Sequence, residues 1–362
     1  MKKVAMKKNL FFVLPFCICA LLPHEAVGQE MGGHQYDKPY INDGGGGALL
    51  GGYIDHELLW NREKKTFDQH RFIPFIHAEV NERIHVLAEL EFEHGGVVKG
   101  SGESDGEIKI EFAALDIAFS EALTYRAGII LAPLGGFNLN HDSPLNDLTN
   151  RPLVAREIVP TTLSESGMGL FGTLYPGEVA VLDYELYVVN GFNGNAATSL
   201  RAGRGSLKSD NNEQKSLTGR VGYSPFLGLQ MGGSFHVGAY DDAGSRRLGI
   251  YALDAVYSRG PFEARGEYAT ASVDGAEFDV RSGYYAQVGY HFLPGALEAF
   301  PNSICTASLR YDAIDLGSRD ETRITLGLNW RPIEETVVKI DYETYEQDGD
   351  KSGLLLSVAS YF

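Results

Sequence analysis

The sequence predicts an all-β protein, a transmembrane antiparallel up-and-down β-barrel of sixteen strands. Three observations lead to this prediction. Apolar and polar residues alternate along segments of roughly ten residues, short and long connections alternate between them, and aromatic residues collect at one end of the segments. Because successive side chains of a strand point to opposite faces, each segment would present apolar residues to lipid and polar residues to a lumen.

The last ten residues, GLLLSVASYF, show the pattern most clearly. Leu354, Val358 and Phe362 share one face of the predicted strand, and Ser357 and Tyr361 share the other. A final strand with an aromatic end is typical of a barrel whose last strand pairs with its first and ends in the interfacial aromatic belt. Taken alone, the stretch also fits an edge strand of a soluble β-sandwich.

Residues 1–28 have the three parts of a secretory signal: a basic start with lysines, an apolar stretch and a small-x-small cleavage site. We therefore expect export to the outer membrane of a Gram-negative bacterium. Residues 29–47 are polar and glycine-rich and are predicted to be a flexible lead-in, which leaves 48–362 for the barrel. Only Cys305 lies beyond the signal, so no internal disulfide is expected, and its position in the alternation places it on the lipid face.

Composition excludes several classes of function. The formal net charge of −17 argues against a nucleic-acid partner, whose phosphates require a basic surface. Beyond the signal, no stretch approaches the ~18–20 continuous apolar residues of a membrane helix. The mean hydropathy of −0.15 despite 44% hydrophobic residues agrees with alternating faces.

Period-two alternation over these lengths indicates strands rather than helices. The predicted strands lie near residues 48–60, 70–80, 84–94, 107–119, 125–132, 167–174, 179–189, 216–224, 229–240, 247–258, 261–271, 281–292, 303–313, 322–331, 336–346 and 353–362.

The connections between these strands sort by length. The even-numbered ones are mostly tight, with 293–302 as the exception, and the odd-numbered ones tend to be longer and more polar, notably 95–106, 133–166, 190–215 and 272–280. Outer-membrane barrels have short periplasmic turns and longer external loops, whereas a soluble sandwich has no reason to sort its loops in this way. Nine aromatic residues fall at the turn end: Phe119, Tyr125, Tyr223, Tyr257, Phe262, Tyr290, Phe292, Trp330 and Phe362.

The longest connection, 133–166, is the third outer loop in this topology, and we expect it to fold inward and narrow the pore. The alternative is an exposed surface loop. The predicted constriction residues are Asp142, Asp147, Arg151, Arg156 and Glu157. With Glu165 the loop carries four carboxylates against two arginines and no lysine, which predicts weak charge selectivity leaning to cations.

Charged residues in the polar phase of the strands are expected to line the lumen. Acidic residues dominate the first four strands, where Glu89, Glu91 and Glu111 are examples, with Glu57, Glu79, Glu93 and Glu107 beside them. Basic residues project from later strands: Arg220, Arg265, Arg310, Arg323, Arg331 and Lys339, with Glu263, Glu267, Asp312, Asp341 and Glu343 among them. Opposed acidic and basic walls would produce a transverse field, although the same residues could simply solvate a wide lumen.

The sequence offers no catalytic constellation. It contains no His-Glu-x-x-His, and no nucleophile with a positioned base can be recognised, so neither an activated nucleophile nor a zinc site is predicted. The histidines, such as His56, His70, His77, His85 and His236, are scattered without metal-ligand spacing. We therefore expect a non-enzymatic protein with no metal and no cofactor.

Several short motifs resemble the phosphate-selective porin O and P family of Gram-negative outer-membrane porins. They are the Arg-x-Gly and Pro-x-Gly residues of 126–135, the segment 220–226 (RVGYSPF), and Asp254-Ala255 with Gly260-Pro261 and Glu267-Tyr268. The resemblance runs from the signal to Phe362. It implies a sixteen-stranded homotrimeric channel with the long loop folded into the lumen, and anion or phosphate selectivity.

The expected function is that of a porin, a channel for passive diffusion of small hydrophilic solutes and ions with weak charge selectivity. Its expected partners are outer-membrane lipids, the solutes and, by resemblance, two further copies of the chain. The alternative is a plugged structural or tethering barrel without channel activity.

Overall fold

The strands of this chain have two chemically different faces, and the sheet that they form closes on itself. The computed structural model describes residues 48–95 and 106–362, which form one closed sheet of sixteen antiparallel strands, each paired with its sequence neighbours. The strands are β1 Ala48–Asn61, β2 Lys65–Asn81, β3 Ile84–Glu93, β4 Glu107–Ser120, β5 Leu123–Leu131, β6 Ser164–Leu174, β7 Val181–Val189, β8 Ser216–Phe226, β9 Leu229–Ala239, β10 Arg247–Arg259, β11 Phe262–Val273, β12 Val280–Phe292, β13 Ile304–Asp315, β14 Asp320–Ile333, β15 Thr336–Tyr345 and β16 Gly353–Tyr361. The predicted fold class is confirmed.

Helical structure is confined to the connections. Two short α-helices, α1 Gly136–Leu139 and α2 Leu153–Glu157, lie between β5 and β6, together with the 3-10 turn Ser143–Leu145. Further 3-10 turns span Gly194–Ala197 and Gly349–Lys351. No helix in the described ranges is long and apolar enough to cross a membrane. The predicted signal and lead-in, residues 1–47, lie outside the described residues.

The first and last strands close the barrel. They pair antiparallel from Tyr53 opposite Tyr361 to Asn61 opposite Gly353, so neither strand keeps an open edge. At this seam Gly52 has φ +154°, and a Cβ there would lie 2.1 Å from the carbonyl oxygen of Ile73. Only glycine permits this close approach of β1 to β2.

The two faces of each strand differ as the alternation predicts. On β14, Ile324, Leu326 and Leu328 point outward and are about half exposed, whereas the inward-facing Arg323 and Thr325 are buried. Closure of the sheet places the outward residues of all strands on one continuous apolar surface, the kind that barrels present to lipid. The partly exposed Cys305 shares this outward phase with Ala307 and Leu309.

Strand bounds agree with prediction to within a few residues except at the start of β2. This strand begins at Lys65 rather than residue 70, because Lys65, Thr66 and Phe67 pair with Trp60, Leu59 and Leu58 of β1. The Lys65 ammonium lies 5.2 Å from the centre of the Trp60 ring. Charged and polar residues on this extension hid it from an alternation search.

The strands are joined by short connections at one rim, called here the turn rim, and by more variable ones at the other, called the loop rim. Turn-rim connections include 82–83, 121–122, 227–228, 260–261 and 334–335, with 293–303 the longest. The loop rim carries 132–163 and 190–215, but also the short connections 62–64 and 316–319. The loop-rim connection after β3 has residues 96–105 outside the described ranges.

Several exposed aromatic rings lie at the turn rim, while Trp60 and Phe67 lie at the loop rim. Phe262 and Tyr290 pack with ring centres 5.1 Å apart, Tyr290 stacks on Phe292 at 6.4 Å, and Phe72 stacks on Phe362 at 5.7 Å. Amphipathic rings of this kind suit the boundary between lipid headgroups and acyl chains.

The outward face gives a direct test of the register. Replacing Leu326 by Arg should destabilise the protein by roughly 2–4 kcal/mol, because the guanidinium would enter the hydrocarbon layer. Replacing the half-buried, inward-facing Gln230 by Arg should cost far less. Urea unfolding in lipid vesicles measures both values, with Leu326→Phe as the apolar control. Equal costs for the two arginine variants would mean that the register is shifted by one residue.

Candidate functional site: the interior of the barrel

The connection between β5 and β6, residues 132–163, is bonded to the inward-facing side chains of the wall. Its backbone N–H groups donate to wall oxygens: Gly135 N to Ser234 Oγ (2.9 Å), Phe137 N to Glu267 Oε2 (2.9 Å), Thr149 N to Asp341 Oδ2 (2.6 Å) and Leu153 N to Asp312 Oδ1 (2.9 Å). An irregular segment leaves many backbone donors without partners of its own, and buried carboxylates satisfy them here.

Basic side chains of the wall make the complementary bonds. They donate to backbone carbonyls of the same segment: Arg310 to Asn150 O (2.9 Å), Arg323 to Arg151 O (2.7 Å), Arg331 to Pro144 O (2.7 Å) and Lys339 to Ser143 O (2.7 Å). Four of the predicted lumen cations therefore hold this segment: Arg310, Arg323, Arg331 and Lys339.

A third set of contacts links the segment to β1, β4 and β16. Ser143 Oγ donates to Asp55 (2.5 Å), and Tyr361 OH donates to Asp142 (2.9 Å). His141 Nε2 lies 2.5 Å from Glu111, a predicted lumen residue. The segment thus bonds to strands far apart around the barrel.

Apolar packing reinforces these bonds. Leu153, Val154, Ile158, Val159 and Leu163 are fully or almost fully buried in the largest apolar cluster. This cluster also contains wall residues of β10 and β11 and residues of the connection 190–215: Leu248, Ile250, Ala252, Ala269, Ala271, Phe192, Ala196 and Leu200. Burying an aliphatic side chain of this size contributes ~1.5–3 kcal/mol.

The carboxylates predicted at the constriction are engaged. Asp147 accepts from Asn329 (3.0 Å) and Arg331 (3.3 Å). Burial opposes ionisation of Asp147, but the charges of Arg331 and Arg265 outweigh it and lower its pKa. Glu157 lies 3.3 Å from Arg156 and 3.8 Å from Arg319, and with Asp142 bound to Tyr361, none of the three is a lone acidic charge.

Arginines from two connections meet beside α2. Arg151 and Arg201 both donate to the Thr161 carbonyl (3.0 and 2.7 Å), and Arg204 donates to the Thr162 carbonyl (2.8 Å). Burial, together with the charge of Arg71, lowers the pKa of Arg151 to about 10. Burial and neighbouring arginines also lower the pKa values of Arg201 and Arg204.

Sequence reasoning missed Arg201 and Arg204. Both lie in the long connection 190–215, where a count restricted to 133–166 could not find them. A count of charged residues over both long loop-rim connections gives similar numbers of acidic and basic residues, in place of the acidic excess of 133–166 alone.

The wall formed by β2–β4 is acidic but not uniformly so. Arg71, which the sequence interpretation left out, lies between Glu91 (3.1 Å) and Glu93 (2.7 Å), and Lys109 lies 3.4 Å from Glu91. Glu89 is buried in the same wall.

The predicted basic wall is likewise paired. Arg220 donates two hydrogen bonds to the Asp254 carboxylate (2.5 and 2.7 Å), and Arg265 lies 2.5 Å from Glu263. Arg310 and Arg323 share Asp312, at 3.0 and 3.1 Å. The predicted contrast between an acidic and a basic wall is therefore wrong for the strands, because buried charges are stable only when paired.

Two histidines that look scattered in sequence are neighbours in space. His77 Nε2 and His85 Nδ1 lie 3.3 Å apart, and a carboxylate oxygen of Glu79 lies within 4.8 Å of both. Asp55, Glu57 and His70 form a second such group on β1 and β2. Spacing along the sequence does not show this proximity; the pattern that could have located it is His-x-Glu before a tight hairpin and His after it.

Several solved structures share this architecture. Salmonella typhi OmpF in complex with daunomycin superposes with a TM-score of 0.58 at 12% identity, covering 89% of this chain and 99% of that structure. An anion-selective porin from Comamonas acidovorans gives 0.56 at 11% identity over 87% and 99%. The chain has the fold of the outer-membrane porins. The trimer form of Vibrio cholerae OmpT agrees, with a TM-score of 0.53 at 12% identity over 87% and 99%.

Sequence comparisons add one relative. An uncharacterized protein of Aquifex aeolicus is 29% identical over 280 residues, which cover 68% of this chain and 62% of the relative. The match therefore spans less than two thirds of the relative's length. No protein-family model matches the chain.

The network around Asp312 predicts a stability effect. Replacing Asp312 by Asn should lower the free energy of unfolding by up to about 3–5 kcal/mol, because Arg310 and Arg323 would lose one of their two shared buried counter-charges and keep only Glu343. The exposed Asp320→Asn provides the matched control. Denaturant unfolding that shows the two variants equally stable would contradict the role assigned to Asp312.

Proposed function

We propose that the protein is a passive channel of a Gram-negative outer membrane, through which small hydrophilic solutes and ions diffuse. The observation that carries the proposal is the closed sixteen-stranded sheet, apolar outside and charged inside. A barrel of this size is wide enough for an aqueous channel. A channel role is also favoured over an enzymatic one because the interior charges serve as anchors and ion pairs.

We further propose that 132–163 crosses the lumen and narrows it. The segment bonds to inward-facing side chains of β1, β4 and β16 and also of β11 and β13, which only a segment inside the barrel could reach together. This supports the constriction expected for the third outer loop over the exposed loop.

An open passage is favoured over a plugged barrel by the charged side chains that keep contact with solvent. Lys109 and Glu93 on the β2–β4 wall retain 24% and 21% exposure of their side chains, and Arg201 in the facing loop is exposed. Glu93 and Lys109 lie at the loop-rim end of their strands, so their partial hydration indicates water at the entrance of the barrel, because dry burial would carry a large desolvation cost.

Selectivity is proposed to be weak. Arg151, Arg201 and Arg204 lie near enough to the acidic wall for electrostatic attraction to Glu91 or Glu93. Acidic and basic side chains therefore face each other across the passage. Opposed charges orient solutes without strongly excluding either sign. The resemblance to phosphate-selective porins suggests a stronger anion preference, and the same resemblance suggests a homotrimer.

Conductance tests the channel role. Purified protein in a planar bilayer should give stepwise, ohmic single-channel currents, because an aqueous path needs no conformational trigger. Folded protein that inserts but never conducts would favour the plugged structural barrel. Low phosphate that blocks chloride current would reveal an anion site and contradict weak selectivity.

The loop arginines should set the ion preference. Replacing Arg201 and Arg204 together by Glu should shift the reversal potential in a KCl gradient toward cations, and high salt should reduce the shift, since the screening length falls to ~3 Å at 1 M. Arg62→Glu, an exposed change at the same rim, serves as the control. An unchanged reversal potential in the double variant would remove these arginines from the permeation path.

The loop rim is proposed to face outward from the cell. In a Cys305→Ala background, a cysteine at the exposed Ser209 should react with a membrane-impermeant maleimide on intact cells. A cysteine at Glu178, in the exposed turn-rim connection 175–180, should react only after the outer membrane is permeabilised. The reverse pattern would invert the topology.

A further inference from the structure

A cluster of two imidazoles and one carboxylate lies on the inner wall beside the β2–β3 turn. His77 and Glu79 are two residues apart on β2 and therefore share its inward face. Glu79 pairs directly with His85 of β3, which makes His77 the diagonal neighbour of His85. The three side chains are half-buried and offer three ligand atoms within 4.8 Å of one another.

The hairpin that carries the cluster is firmly held. Asn81 Oδ1 accepts from the backbone N–H groups of Arg83 (2.9 Å) and Ile84 (3.0 Å) and closes the turn. Arg83 is fixed to the neighbouring strand, since its guanidinium donates to Phe119 O (3.0 Å) and its carbonyl accepts from Ala118 N (2.7 Å). A rigid hairpin presents ligands with little loss of conformational entropy on binding.

The nitrogen separation suits a tetrahedral metal ion. Two imidazole nitrogens bound to Zn²⁺ at ~2.0–2.1 Å and at the tetrahedral angle lie about 3.3 Å from each other. His77 Nε2 and His85 Nδ1 are 3.3 Å apart. A Glu79 carboxylate oxygen lies within 4.8 Å of both nitrogens and offers the third ligand.

Glu79 supplies the negative charge of the cluster, because the neighbouring carboxylate is already paired. Asp116, which pairs with His85 across β3 and β4, accepts hydrogen bonds from Nε and Nη2 of Arg126, at 2.7 and 2.5 Å. Two neutral imidazoles and one carboxylate form a ligand set suited to first-row divalent cations, and not to the all-oxygen preference of Ca²⁺ or Mg²⁺.

We propose that His77, Glu79 and His85 bind one divalent first-row transition metal ion of the Zn²⁺ class on the inner wall near the turn rim. Water completes the coordination. A bound ion there adds positive charge to the wall formed by β2–β4.

The second candidate cluster differs in its chemistry. His70 Nδ1 lies 2.6 Å from Glu57 and 3.5 Å from Asp55, and Asp55 also accepts from Ser143. One imidazole held between two carboxylates, one of them bonded to the constricting segment, is an ion pair with an assigned structural role. We assign no metal to it.

Titration of untagged, chelator-treated protein with ZnCl₂ in detergent tests the proposal by calorimetry. One saturable site per chain is expected. Removing a direct ligand in His85→Asn should weaken binding at least as much as the ~10–100-fold typical of losing a supporting contact. The isosteric Glu79→Gln should weaken it about tenfold or more on the same scale. His56→Asn, on the outward face of β1, is the matched control and should bind as the unaltered protein does.

A spectroscopic readout counts the ligands independently. Cu²⁺ bound to the unaltered protein should show electron-paramagnetic-resonance coupling to two imidazole nitrogens, and to one in His77→Asn. No saturable Zn²⁺ binding, or undiminished binding in His85→Asn, would overturn the proposal. Loss of binding in His70→Asn with retention in His85→Asn would also overturn it and place the ion at the other cluster.

Discussion

The structure depends on reciprocal bonds between ionised side chains of the barrel wall and the backbone of 132–163. Asp312 shows the arrangement, since it accepts a hydrogen bond from Leu153 N. Arg310 and Arg323 neutralise its charge and also donate to the carbonyls of the preceding residues Asn150 and Arg151. Each partner removes a cost that the other would carry, since a buried charge needs a counter-charge and a buried irregular backbone needs hydrogen bonds.

This dependence explains how the interior charges are used. Most charged side chains that β10–β15 direct into the lumen form ion pairs or bind the segment 132–163. They therefore stabilise the structure more than they attract solutes. Other groups that keep contact with solvent are Glu93 and Lys109 from the β2–β4 wall, and Arg201 and Arg204 from a second connection. For the channel proposed above, we therefore expect ion preference to follow from residues of this kind and not from the net charge of −17.

The sequence is sufficient to predict the barrel because alternation is a local property. From the alternation within β14 alone, Leu326 can be placed on the outward face and Thr325 on the inward face. Contacts between distant strands and loops carry no such signature. The positions of Arg71 between two glutamates, of Arg201 beside Thr161, and of His77 beside His85 follow from register and loop path, which single-strand periodicity does not contain. Extension of β2 to Lys65 was missed for the opposite reason, because its local pattern is polar.

The central claim is that 132–163 is fixed to the inner wall while the passage stays open. Thr149 Oγ1 and Ser357 Oγ lie 2.9 Å apart, so cysteines at these two positions in a Cys305→Ala background can be oxidised to a disulfide. Formation of the crosslink tests whether the segment is fixed to the wall, and single-channel conductance of the oxidised protein tests whether the passage stays open. We predict that the crosslink forms readily and leaves the conductance unchanged. Failure to form the crosslink in folded protein, or loss of conductance when it forms, would contradict the account.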